Sequence, residues 1–170
     1  MNKRSLYLGL TYSILVIIYK LIILLSGYQL TKFGFYYSHF LSVVFIIPFM
    51  IIAVKQVRDK DQGGFISGRD AIKIGLGVFG ISVIILSVYT YIEFECKMRE
   101  ISVQYYNSAE YLEFLKKQSK ITPEMYPKII EENIGALSAM KAVTAKLFSF
   151  FLLSFSFAFI IAVFMKRRQA

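Results

Sequence analysis

With 170 residues, 56% hydrophobic and only 18% charged, this chain is greasier than a soluble domain, which is about 45–50% apolar and about 25% charged. Its formal net charge of +9 gathers beside the apolar runs, at Lys3, Arg4, Lys55, Arg58, Lys60, Arg69 and Lys166–Arg168, with Asp59, Asp61 and Asp70 offsetting part of it. Residues 95–141 hold seven basic and seven acidic side chains, so no basic patch lies away from the apolar segments and a nucleic-acid partner is excluded.

A spanning helix needs roughly 20 apolar residues, set by about 30 Å of hydrocarbon and about 1.5 Å of rise per residue. Four runs meet that length, at about 6–27, 35–54, 71–94 and 142–165. The first follows Met1–Arg4 and is longer than the apolar core of about 7–15 residues in a secretory signal, so it is read as an uncleaved span. The connection to the second is short, and Tyr28, Tyr36 and Tyr37 suit an interface where ring and hydroxyl each find their medium. Pro48 in the second run predicts a kink, because its ring and missing N–H disturb the helical ladder.

The loop from Lys55 to Gly75 is short and cationic, and it turns at Gly63–Gly64. Cationic loops stay on the cytoplasmic side, which puts the tyrosine-rich connection outside and both termini inside. The third run closes on Tyr89, Tyr91 and Phe94, a second interfacial set. In 95–141 apolar residues recur at Met98, Ile101, Tyr105, Leu112 and Leu115, the pattern of an amphipathic helix continuing the third span. Thr122–Pro123–Glu124 starts a second helix, ending near Gly135. The expected fold is all-α: one membrane domain over 1–170, a four-helix bundle with a helical extracytoplasmic insert at 95–141.

Gly75–Gly80 fits the G-x-G-x-x-G pattern, but no strand precedes it, as a dinucleotide site requires. The glycines belong instead to helix contact. Ala71, Gly75 and Ser82 share a helical stripe, Ser154, Ala158 and Ala162 form another, and small residues let backbones approach. These stripes predict packing of the third span on the fourth. Lys20, His39 and Glu93 are ionisable groups near the outer ends of apolar runs, and an intramembrane charge is by default a functional candidate. A structural Lys20–Glu93 pair and separate snorkelling to the surface are the competing readings.

One cysteine, Cys96, excludes an internal disulfide and could link two copies. With one histidine, His39, it leaves no metal site of ordinary ligand number. No catalytic constellation assembles and no cofactor is expected, so an enzyme is not expected either.

Gly64–Phe65–Ile66–Ser67, followed by Ala71 and Gly75, resembles the entry to the central span of a bacterial membrane family, domain of unknown function 4199, common in Bacteroidetes. That family's layout of four spans, a polar helical insert before the last and a basic end is similar over nearly the whole chain. Gly68 stands where the family usually has an aromatic, and Glu93–Phe94–Glu95–Cys96 where an Asp-Pro is common. The resemblance implies an inner-membrane location and no activity. Two functions are expected: a non-catalytic accessory or scaffold protein, or a small transporter or channel subunit using Lys20, His39 and Glu93. The first would dock a partner protein on 95–141 through exposed Tyr105, Tyr106, Tyr111 and Phe114, although the apolar stripe there could instead cover the span ends or rest on the lipid surface. The second would need further copies of the chain, since four helices make a thin wall. In both the lipid bilayer is the main partner.

Overall fold

The computed structural model of the chain describes residues 2–31, 34, 42, 44–119 and 121–166. Its regular elements are all helices: α1 (Lys3–Leu25), α2 (Ile46–Gln56), α3 (Gly68–Glu93), α4 (Arg99–Tyr106), α5 (Ala109–Lys116), α6 (Tyr126–Gly135) and α7 (Ala139–Met165). A π-helical turn, Phe94–Met98, joins α3 to α4 without a break, so the pair forms one rod, Gly68–Tyr106. That rod, α1 and α7 are each long and apolar enough to cross a membrane. The expected second span is described only in part, from residue 44 onward.

Local chemistry sets the helix ends. Asn2 caps α1 by accepting from the Arg4 amide at 2.8 Å. Ser67 caps α3 by accepting from the Asp70 amide at 3.0 Å, and Asp70 adds negative charge to the first turn. Gly63 and Gly64 adopt φ of +61° and +92°, a region open to glycine, which allows the tight reversal between α2 and α3. Helical bonding is interrupted at Phe45, just ahead of α2. Pro48 then falls in the first turn of α2, where a missing N–H forfeits little. Arg4 meets both carboxylate oxygens of Asp61, at 2.8 and 2.6 Å, tying the start of α1 to the α2–α3 loop. This guanidinium holds the Asp61 carboxyl below the usual range.

The rod is central, with its widest contact on α7 and further contacts on α1 and α2. Tyr12, Val16, Met50, Val78, Leu86 and Phe150 are buried among these helices. The outward faces carry exposed Leu10, Ile14, Ile84, Val88, Phe148 and Phe155, an apolar girdle suited to lipid.

Glycine and serine set how closely the helices approach, and the two expected stripes divide between different neighbours. A Cβ on Gly75 would lie 3.7 Å from the Ala158 Cβ and 3.1 Å from the Met50 Cε, so this glycine does face α7. Ala71, Ser154, Ala158 and Ala162 are buried as well. Ser82, on the same stripe as Gly75, turns to α1, donating to Val78 O at 2.7 Å and approaching Gly9 O at 3.3 Å. The tighter crossing is at Gly9, where a Cβ would sit 3.0 Å from both the Ile81 Cβ and the Val78 carbonyl oxygen. Gly9→Ala is therefore expected to cost about 1–3 kcal/mol, since backbone cannot yield as a side-chain tip can. Gly75→Ala meets only a methionine methyl and an ordinary contact, so it is expected to be neutral or stabilising by up to about 1 kcal/mol. Thermal unfolding of the two variants in lipid nanodiscs separates these outcomes.

Residues 99–135 build a small core of their own. Tyr105, Tyr111 and Leu115 are buried, with Ile121, Tyr126, Ile129 and Ile130 packed around them. This corrects the expectation of exposed aromatic anchors: Tyr105 and Tyr111 are 1% and 4% exposed. Tyr105, Tyr106 and Tyr111 lie within 6.1 Å of one another, and Phe114 stacks on Tyr111. One helix was expected across 98–117, but Asn107 ends α4 and Ser108 caps α5, accepting from the Tyr111 amide at 3.2 Å. That corner lets the aromatic stripe fold onto itself. Thr122 takes the expected N-cap position, with Pro123 opening the turn that leads into α6, but makes no side-chain cap bond. Asn133 donates to the Tyr111 hydroxyl at 2.9 Å, and burial pushes that phenol up. Tyr111→Ala is expected to cost about 3 kcal/mol or more and open this unit to protease, while Tyr111→Phe costs about 1 kcal/mol.

Candidate functional site

The C-terminal ends of α1 and α3 and the N-terminal part of α7 meet at a cluster of buried polar side chains. Lys20 lies five residues before the end of α1 and is 1% exposed. Its Nζ stands 4.0 Å from Oε1 of Glu93, the last residue of α3, whose side chain is 4% exposed. Tyr89, one turn earlier on α3, donates to that same oxygen at 3.2 Å. The i, i+4 spacing of Tyr89 and Glu93 puts both on one helix face.

Lys146 completes the cluster from α7, where it is 5% exposed. Its Nζ donates to the Thr90 Oγ1 at 2.6 Å, and both Lys20 and Glu93 are close enough to act on its charge. Lys146 sits seven residues into α7, about 10 Å along the helix axis, so its position on an antiparallel neighbour brings it to the level of Thr90.

Two of the three expected ionisable residues, Lys20 and Glu93, thus come together. His39 lies outside the described residues. Lys146 and Thr90 were not expected. Lys146 follows Lys141 at the entry to the last apolar run and reads as flanking charge. The signal that points to it is its place four residues inside the run, on the side that also carries Lys20 and Glu93.

The chemistry available is electrostatic. The cluster holds two ammonium groups, one carboxylate, a phenol and a hydroxyl, none on an exposed surface. Such groups bind and position ions, and in a low-dielectric setting each is worth more than in water. Among the described residues no His, Cys, Asp and Glu come together in a group able to hold a metal. The cavities at the two ends of the molecule are lined by other residues: one by Arg4, Tyr7 and Asp61, the other by Leu112, Tyr126 and Ile130.

A family model described as Protein of unknown function (DUF4199) matches residues 4–167. No curated protein and no solved structure matches the chain.

Proposed function

We propose, for a chain that belongs to the DUF4199 family, a non-catalytic ion-handling subunit of the bacterial inner membrane. In this reading four spans form a bundle, both termini are cytoplasmic, and residues 95–141 lie outside. The positive ends at Lys3, Arg4, Arg58, Lys60 and Arg69 support the orientation. Several copies of the chain would assemble to enclose a path.

The observation that carries the reading is the buried Lys20–Glu93–Lys146 cluster. Charges are costly to hold in an apolar bundle, and stability alone is better served by apolar side chains of similar volume. The scaffold reading loses support, because the aromatic residues offered as anchors pack inward.

Flux through proteoliposomes of the purified chain tests the proposal. Ion movement above that of protein-free vesicles is expected, and Lys20→Met should abolish it while leaving the protein folded. Absence of flux, together with crosslinks from 95–141 to one recurrent partner in native membranes, would return the protein to the scaffold class.

A further inference from the structure

The buried cluster carries one more positive charge than negative. Of the eleven acidic residues, three lie in 59–70 and seven in 95–132; Glu93 alone belongs to the site. Lys20 and Lys146 are both buried against it. Lys20 has the carboxylate at 4.0 Å. Lys146 meets a hydroxyl instead, and among the described residues Thr90 Oγ1 is its one hydrogen-bond acceptor, with no carboxylate within 4.0 Å. An ammonium has three N–H donors. Two donors of a 95%-buried cation therefore find no protein acceptor among the described residues, and the one carboxylate near enough to act on its charge, Glu93, is shared with Lys20. Burial on those terms is expensive unless something anionic joins the site.

We propose that Lys146 and Thr90, beside the Lys20–Glu93 pair, form a binding site for a small monovalent anion of the halide class. Lys146 supplies the charge and two donors. Its single contact with Thr90 fixes the direction in which those donors point. The charge count sets valence: one anion neutralises an excess of one, whereas a divalent oxyanion would overshoot it. Burial sets size, since a monatomic anion needs little more room than a water molecule of about 30 Å³. Glu93 acts as the opposing charge that keeps the anion from binding too tightly to leave. The inference rests on the cluster being an ion site and names the ion.

The test is halide-dependent stability of the purified full chain in nanodiscs, with chloride or bromide compared with gluconate and sulfate at equal ionic strength. Chloride and bromide are expected to raise the unfolding midpoint saturably, and gluconate and sulfate are not. Lys146→Met should remove the halide response yet still fold, because it leaves Lys20 and Glu93 balanced. Thr90→Val, which keeps every charge, gives a second measure and should weaken halide binding. Glu93→Gln should lower the halide concentration for half-effect at least about tenfold, the effect of deleting a like charge a few ångströms away. An equal response to all four salts, or an unchanged halide response in Lys146→Met, would overturn the site. Proton flux with no halide response would also overturn it while leaving the ion-handling reading intact. Halide binding with no flux of any ion would support the site and sink that reading.

Discussion

Replacing Glu93 with Gln is expected to destabilise the protein by about 3–5 kcal/mol in a halide-free buffer, far more than replacing either lysine with Met. The ordering follows from charge rather than from contact. Removing Lys20 leaves Lys146 and Glu93, one charge of each sign. Removing Lys146 leaves the Lys20–Glu93 pair at 4.0 Å. Removing the carboxylate leaves two buried ammonium groups with their charge unopposed by Glu93. Each Lys→Met change keeps most of the side-chain volume, so its cost should stay within about 1.5 kcal/mol. For a chain of this size about 1 kcal/mol moves the unfolding midpoint by roughly 2–4 °C, so the two classes should separate clearly in a thermal scan. Equal losses for Glu93→Gln and Lys20→Met would mean that only that pair matters and that Lys146 stands apart from the site.

This ordering also separates structure from function. A purely structural ion pair predicts that a variant which folds has lost nothing else. The ion-handling reading predicts the opposite for Lys20→Met: near-normal stability with no flux.

What the sequence could reveal was governed by range. Run length and flanking charge are local properties, and they were enough to read α1, α3 and α7 as apolar helices of spanning length. The approach of Lys20 and Glu93 was also open to inference, since both lie at the same level of their helices. Lys146 was masked by Lys141, because a lysine near the start of an apolar run looks like a boundary marker. Helical periodicity names a face without naming its neighbour. It grouped Gly75 with Ser82, yet one meets α7 and the other α1. Gly9 lies midway in a small-residue stripe, Ser5–Gly9–Ser13, that the sequence reading passed over, and its close approach is fixed by Ile81 and Val78 on another helix. Residues 99–135 show the same limit: an aromatic stripe reads as a surface for a partner until a corner at Asn107–Ser108 folds it back. That corner depends on a hydrogen bond that Ser108 Oγ accepts from the Tyr111 amide three residues on, a weak signal beside the long amphipathic pattern.

In intact cells with a permeabilised outer membrane, Cys96 is expected to react fully with a membrane-impermeant maleimide. A cysteine introduced by Lys60→Cys, with Cys96→Ser to remove the native thiol, should react only after lysis. The expectation comes from length and charge together. The rod Gly68–Tyr106 has 39 residues, about 58 Å at the helical rise, against about 30 Å of hydrocarbon. It must project well beyond the bilayer at one end. In the proposed orientation Lys60 and Arg69 keep the start of the rod on the cytoplasmic side, so the free length lies toward Tyr106. Measured from Ala71, Cys96 stands about 38 Å along the rod, past the far side of the hydrocarbon, and its side chain is exposed. The π-helical turn that contains it keeps the rod continuous, so the thiol cannot fold back into lipid without breaking the helix. Labelling of Lys60→Cys before lysis, or protection of Cys96 in the same cells, would reverse the orientation and move the Lys20–Glu93–Lys146 cluster to the cytoplasmic face.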